Sequence, residues 1–204
     1  MTVSAPYAFP LTLTGGRVEL RTLDVTFDNA RMLFDAVVKN RDHLLPWMLW
    51  ASEAVTRTPE DSFNGLLRRQ EGRDDKTKYD FGLFLGDRYI GNMGIFDISM
   101  EKKSAEIGYW LAKDATGKGY MTEAVKLLED EAFLNLDLNR IMIKCDPRNI
   151  ASANVAKRLG YTFEGVLRET TYSDVEKRFV DDAVYSKLRA AWENARIEAS
   201  LRAE

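Results

Sequence analysis

The sequence predicts an α/β protein of the α+β kind, with one mixed, mostly antiparallel sheet of about seven strands flanked by helices. Three observations predict it. Residues 79–112 read as three successive strands of a meander. From Met121 to Leu136 the apolar residues Met121, Val125, Leu128, Ala132 and Leu136 fall on one face of an amphipathic helix. The chain then alternates strand and helix. Its 204 residues, 45% of them hydrophobic, suffice to bury a core as one domain over 1–204, with a core at about 17–188 and a terminal helix at about 189–202.

The elements follow in order. Val18 and Leu20 alternate with polar neighbours, a strand signal. Phe27, Ala30, Phe34 and Val37 repeat at helical spacing. Asn40 to Trp50 is richer in large apolar groups than a surface loop should be. Thr58-Pro59-Glu60-Asp61 starts a helix, with a capping hydroxyl, proline in the first turn and acids that complement the dipole; it runs through Phe63, Leu66 and Leu67 to the charged stretch 71–78. Tyr79 to Leu85 and Tyr89 to Ile98 form a hairpin around Gly86-Asp87, with a turn longer than the tightest type. Met100 to Lys103 lead into a third strand, Ala105 to Ala112. After the long helix come a strand at Arg140 to Cys145, a helix at Ala151 to Leu159 ended by Gly160, and a strand at Tyr161 to Leu167. Phe179 to Leu188 gives one more strand and Trp192 to Arg202 a polar terminal helix.

Composition excludes several function classes. A formal charge of −3 argues against a nucleic-acid surface or an anionic membrane as partner. A single cysteine rules out an internal disulfide, and with one histidine there is no cluster at metal-ligand spacing. Met1 to Leu13 lacks a basic stretch followed by a long apolar run, so no signal peptide is expected, and no run approaches the roughly 20 apolar residues that span a bilayer. A soluble, cytoplasmic protein is expected.

The most informative segment runs from Gly108 to Tyr120. A strand stops, a short loop presents Gly117-Lys118-Gly119, and a helical pattern begins at once. Unpaired amides, a helix N-terminus and a lysine then surround one concavity, which suits a polyphosphate. Glycine at 117 and 119 lets the main chain approach an anion closely. The loop is neither a Walker loop, since Tyr120 stands where Ser or Thr is required, nor the dinucleotide fingerprint, which needs a third glycine. Read alone, it is equally compatible with a plain turn. A second segment, Cys145 to Gly165, also leaves a strand and enters a helix, with Asn149, Ser152 and Asn154 near its start.

Glu106-Ile107-Gly108-Tyr109-Trp110-Leu111, Gly117 to Ala124, and Asn149, Ser152, Asn154 with Leu159-Gly160-Tyr161 together resemble the GNAT superfamily of acetyl-CoA-dependent N-acetyltransferases. Within it the RimJ/RimL type, which acetylates N-terminal amines of ribosomal proteins, is most similar, over about Val18 to Leu188. The resemblance implies a sheet splayed between the fourth and fifth predicted strands, with the pantetheine arm of acetyl-CoA lying in the gap. It implies that the main-chain amides of Gly117, Lys118, Gly119, Tyr120, Met121 and Thr122 hold the pyrophosphate. Trp110 and Leu111 would bond pantetheine through their main chain, and Asn149, Ser152 and Asn154 would complete the cofactor contacts. One departure is Asp114, where the family carries Gln or Arg; a carboxylate near pyrophosphate is unfavourable, so it is expected to point to solvent.

The chemistry needs a base for the amine's proton, a donor for the developing oxyanion and a proton for the leaving thiolate. An amide near Leu111 is the expected oxyanion donor. The family's tyrosine acid is replaced by Ala156, and Ser152 is the expected substitute. Glu106, on the face of Trp110 by strand alternation, Glu169 and ordered water remain alternatives for the base. His43 reads as a substrate-loop or surface residue and Cys145 as packing, which favours direct transfer in a ternary complex over a cysteine nucleophile. Trp47 and Trp50 are expected to wall the acceptor pocket. The acceptor is expected to be the α-amine of a protein N-terminus. The alternatives are a small amine (an antibiotic, polyamine or amino-acid derivative) or a weakly catalytic CoA-binding sensor. No metal is expected, and a homodimer fits the subgroup.

Overall fold

In the computed structural model, Tyr7 and residues 9–202 are described; the expectation for Met1 to Leu13 falls largely outside them. The elements in chain order are β1 (Thr12–Gly15), β2 (Val18–Arg21), α1 (Phe27–Leu44), α2 (Pro59–Asp74), β3 (Tyr79–Leu85), β4 (Arg88–Ser99), β5 (Ser104–Leu111), α3 (Tyr120–Asn135), β6 (Arg140–Cys145), α4 (Ile150–Arg158), β7 (Thr162–Ser173), β8 (Arg178–Leu188) and α5 (Arg189–Leu201). The strands form one eight-stranded sheet in the order β1-β2-β3-β4-β5-β6-β8-β7. Every neighbouring pair is antiparallel except β5 with β6.

Local chemistry accounts for the element ends. Thr26 caps α1, its hydroxyl accepting from the Asn29 amide at 3.2 Å. Pro59 opens α2, and the Asp61 carboxylate reaches back to the Thr58 amide at 3.0 Å. Asn149 caps α4, accepting from the Ser152 amide at 3.1 Å.

Three details depart from the expectations. β1 is an additional strand, too short to carry an alternation signal of its own. The β3–β4 hairpin closes with Leu85 opposite Arg88, so its turn is the tightest, two-residue type. Gly86 at φ +59° supplies the conformation such a turn needs at its first position. The irregularity that lengthens the hairpin on paper is a bulge between Leu83/Phe84 and β4 instead. Finally, α1 continues through Leu44, so half of the apolar stretch 40–50 is helix, buried through Asn40 and Leu44.

α3 lies on one face of the sheet and buries Val125, Leu128 and Phe133 against Leu83, Ile95, Ile107 and Ile141. α1 and the segment after it cover part of the other face through Val37, Leu44 and Ala51, packed with Trp110. The feature that positions the site is the β5–β6 pairing. It joins Ser104, Ala105 and Glu106 to Arg140, Ile141 and Met142, and then stops. β6 instead stays with β8 along its whole length, from Arg140 opposite Leu188 to Cys145 opposite Ala183. The sheet is therefore split beyond Glu106, between the strands the sequence reading counted fourth and fifth.

Candidate active site

One continuous cavity of about 1450 Å³ runs along this split. At one end lies the loop before α3. Gly117 and Gly119 sit at φ +75° and +83°, and Gly119 is the left-handed cap of α3. The Glu123 amide is the first to bond within the turn, to the Gly119 carbonyl at 3.1 Å. The amides ahead of it face the cavity end without an intrahelical acceptor, at the positive end of the helix dipole. Gly117, Gly119, Tyr120, Met121 and Thr122 all line the cavity.

Lys118 does not. Its ammonium doubles back to the Asp114 carbonyl at 2.9 Å, so only its amide is available to an anion there. Asp114 is half exposed, and its carboxylate is tied to Arg88 at 2.5 Å, a partner that discharges the repulsion foreseen for it. Arg17 is a contributor that periodicity could not reveal, because it reaches the loop from the start of β2. Its guanidinium covers the Tyr120 ring at 4.8 Å, pairs with Glu123 at 3.1 Å and lines the cavity. Glu123, the acid of the first turn, is thereby turned toward Arg17 and the Val18 amide.

In the middle, strand alternation decides which main-chain groups face the split. The Ala112 amide bonds the Ile90 carbonyl, so Ala112, and two residues back Trp110, direct their amides and carbonyls to β4. The same alternation turns the amide and carbonyl of Leu111, and those of Tyr109, into the split. Leu111 thus fits the expected main-chain contact, whereas Trp110 contributes its ring: it is 7% exposed and meets Trp50 at 6.2 Å and Tyr89 at 6.0 Å. Gly91 permits the strands to close here, since a Cβ on it would come within 2.3 Å of the Trp110 carbonyl oxygen.

Across the split stand Asn149, Ser152 and Asn154 on the start of α4, all lining the cavity. The Asn149 carbonyl oxygen is used by the cap, which leaves its NH₂ to donate. Tyr109, missed by motif reading, places its hydroxyl 3.1 Å from Ser152 Oγ and 3.2 Å from the Ser152 carbonyl. Alternation against Glu106 and Trp110 was the signal that could have found it. Burial raises the Tyr109 phenol well above its ordinary range, so it stays protonated. Ala156 is fully buried and carries no hydroxyl. Cys145, free and buried, ends β6 beside this group, and burial pushes its thiol up, which disfavours thiolate chemistry. Ser152→Ala is expected to lower kcat while leaving the dissociation constant of the thioester substrate nearly unchanged. Steady-state kinetics beside calorimetry checks it; lost affinity at normal kcat would make Ser152 a binding group only.

The other end of the cavity is walled by Trp47 and Trp50, which are 36% and 38% exposed, with His43 nearby. The loop carrying the tryptophans is held by Arg41, which donates to the Thr56 carbonyl at 2.6 Å and to Glu53 at 3.1 Å, and by Thr56 Oγ1 bonding the Trp50 carbonyl at 2.8 Å. Glu106 lies on the floor, paired with Lys144 at 2.7 Å. Burial raises its carboxyl above the usual range, Lys144 opposes the shift, and Asp97 and Asp182 add to it. Glu169 is elsewhere: it lines a small separate hollow with Arg168 and Asp181, on a bulge of β7 where its own φ is +53°. The bulge breaks the alternation that would have carried Glu169 toward the cleft. Among the described residues no group of three or more His, Cys, Asp and Glu is arranged to hold a metal ion, and no helix is long and apolar enough to cross a membrane.

Residues 17–162 match the family model described as an acetyltransferase (GNAT) domain. The chain is 31% identical over 192 residues to "Probable N-acetyltransferase YjcK" of Bacillus subtilis (strain 168), covering 93% of this chain and 96% of that one. It is 29% identical over 168 residues to the ribosomal-protein-serine acetyltransferase of Escherichia coli (strain K12), covering 80% and 89%. Among solved structures, the ribosomal L7/L12 α-N-protein acetyltransferase RimL in complex with coenzyme A superposes with a TM-score of 0.81 at 24% identity, over 88% of this chain and 99% of that one.

Proposed function

The chain belongs to the acetyltransferase (GNAT) domain family and is an acetyl-CoA-dependent N-acetyltransferase; from that premise we propose that its acceptor is the α-amine of a protein N-terminus, a ribosomal protein's included. One observation carries the reading. The cavity does not end at the split but continues past Glu106 as an open slot walled by Trp47 and Trp50, room for an extended peptide end rather than a closed pocket for a small amine. The ribosomal acceptors named for the relatives point the same way.

In this reading Gly117 to Thr122 hold the pyrophosphate through their amides, Leu111, Asn149 and Asn154 hold the pantetheine arm, and Ser152 stands beside its sulfur. Acetyl-CoA supplies the acyl group as a thioester. The acceptor enters as an ammonium, gives a proton to Glu106, directly or through water, and attacks the carbonyl carbon with the freed lone pair. The Leu111 amide stabilises the charge on the carbonyl oxygen. As the carbon–sulfur bond breaks, Ser152, backed by the Tyr109 hydroxyl, gives the sulfur a proton and is restored by the second proton of the amine. The balance is one ammonium and one thioester to one amide, one thiol and one proton.

Trp50→Ala tests the acceptor assignment. We expect the KM for an N-terminal peptide to rise several-fold, with melting temperature and acetyl-CoA affinity barely changed, since the ring is over one-third exposed. Coenzyme A release measured with peptides beside small amines checks the class, and preference for the small amines would overturn it. The same proposal treats the chain as one domain working in the cytoplasm. A homodimer is supported by the exposed apolar side chains Phe163, Val166, Leu167, Tyr172 and Phe179 on the β7–β8 hairpin, and sedimentation tests it.

A further inference from the structure

We propose that Lys144 is a positioning residue for the transfer: by pairing with Glu106 across the point where the sheet splits, it fixes the carboxylate that receives the acceptor's proton. The inference rests on Glu106 being the base. It starts from register. Glu106 is the last β5 residue paired with β6, opposite Met142. Lys144 lies two residues further along β6, on the same face as Met142, past the last β5 partner and still paired with β8. Its ammonium leans back over the opening to Glu106 Oε2 at 2.7 Å, with the two side chains 31% and 12% exposed. A carboxylate at the mouth of a gap would otherwise be free to rotate between gap and solvent. The pair fixes Oε2, and with it the orientation of the carboxylate that lines the cavity.

Charge gives the same residue a second effect. Glu106 is faced by Asp97 from β4 and Asp182 from β8, and both oppose its ionisation, as burial does. Among the described residues Lys144 is the cation that counters them at contact, and Asp97 and Asp182 in turn favour its own charged form. Its place between Glu106 and Asp182 follows from the sheet order: Lys144 is opposite Val184 on β8, and Asp182 is two residues away on that face. An acceptor ammonium arriving here meets three carboxylates and one ammonium. It is attracted, and Lys144 favours the ionised form of Glu106 that takes its proton.

The test is the pH profile of kcat/KM for one N-terminal peptide, measured with wild type, Lys144→Met, Lys144→Arg, Glu106→Gln and the Glu106→Gln/Lys144→Met double variant. Using one peptide cancels the titration of its own amine. Removing Lys144 leaves burial, Asp97 and Asp182 unopposed, so the Glu106 carboxyl rises. The acid limb should move up by about one pH unit, which is about a tenfold loss of rate on that limb. Lys144→Arg should restore the limb, and Lys144→Met should change nothing further once Glu106 is Gln. An unshifted limb in a Lys144→Met protein that melts normally and binds acetyl-CoA overturns the proposal. If Glu106→Gln itself keeps full activity, the base assignment fails first, and the two failures are thereby told apart. Should Lys144→Met melt early, Lys144→Gln replaces it and the same limb is read.

Discussion

Gly119→Glu is expected to abolish measurable acetyl-CoA binding in calorimetry, and Gly117→Glu to weaken it by about two orders of magnitude. Two effects combine at Gly119. Its φ of +83° is a conformation that costs an L residue on the order of 1–2 kcal/mol, and this residue is the cap from which α3 starts. A carboxylate added there also stands where the helix dipole and the free amides favour an anion, and repels the pyrophosphate instead. A Cβ on Gly119 comes to 3.4 Å from Arg17 Nη2, an ordinary contact, so backbone conformation and charge carry the loss. At Gly117 a Cβ meets nothing within 4 Å, and the penalty there is conformation and charge without crowding. A graded series follows: Gly117→Ala mild, Gly117→Glu strong, Gly119→Glu strongest. Lys118→Ala should cost only about 0.5–1 kcal/mol, because its exposed ammonium is engaged with the Asp114 carbonyl. Unchanged affinity in both glutamate variants would remove the pyrophosphate from this loop.

What the sequence could reveal was what local spacing encodes. The amphipathic stripe of α3, the strand–loop–helix around Gly117 and Gly119, and the polar start of α4 are each written within a few consecutive residues, and motif resemblance joined them into one site. The rest depends on contacts between distant segments. Arg17 reaches Tyr120 only because β2 runs beside α3, and Arg88 reaches Asp114 only because β4 pairs with β5. The division of labour between Trp110 and Leu111 depends on which edge of β5 faces the split, which requires a register. Glu169 entered as a candidate by strand alternation and leaves the cavity because a bulge interrupts that alternation. The family motif points to a tyrosine at the position of Ala156, while a different tyrosine, Tyr109, supplies a hydroxyl from across the split, a contact that only the folded chain creates.

Glu129 was also legible and passed over. It lies four residues after Val125 and three before Ala132, on the stripe that α3 buries, where a carboxylate has no place without a partner. The partner is Lys187 of β8, whose ammonium meets both carboxylate oxygens at 2.7 and 2.9 Å, with side chains 6% and 1% exposed. The Tyr161 ring lies 4.9 Å from the same ammonium. This pair ties the helix that presents the glycine cradle to the half of the sheet beyond the split, so it holds the two sides of the cavity together. Lys187→Met leaves a buried carboxylate without its counter-charge, which costs about 3–5 kcal/mol. For a chain of this size that lowers the melting temperature by roughly 10 °C. Replacing both partners, as Glu129→Leu with Lys187→Met, removes the orphaned charge and should recover most of the loss, because well-packed apolar groups serve a buried site as well as an ion pair does. A thermal melt of the three proteins decides it. A single variant that melts like wild type would mean the pair does not hold α3. A double variant as unstable as the single one would assign the loss to packing rather than charge.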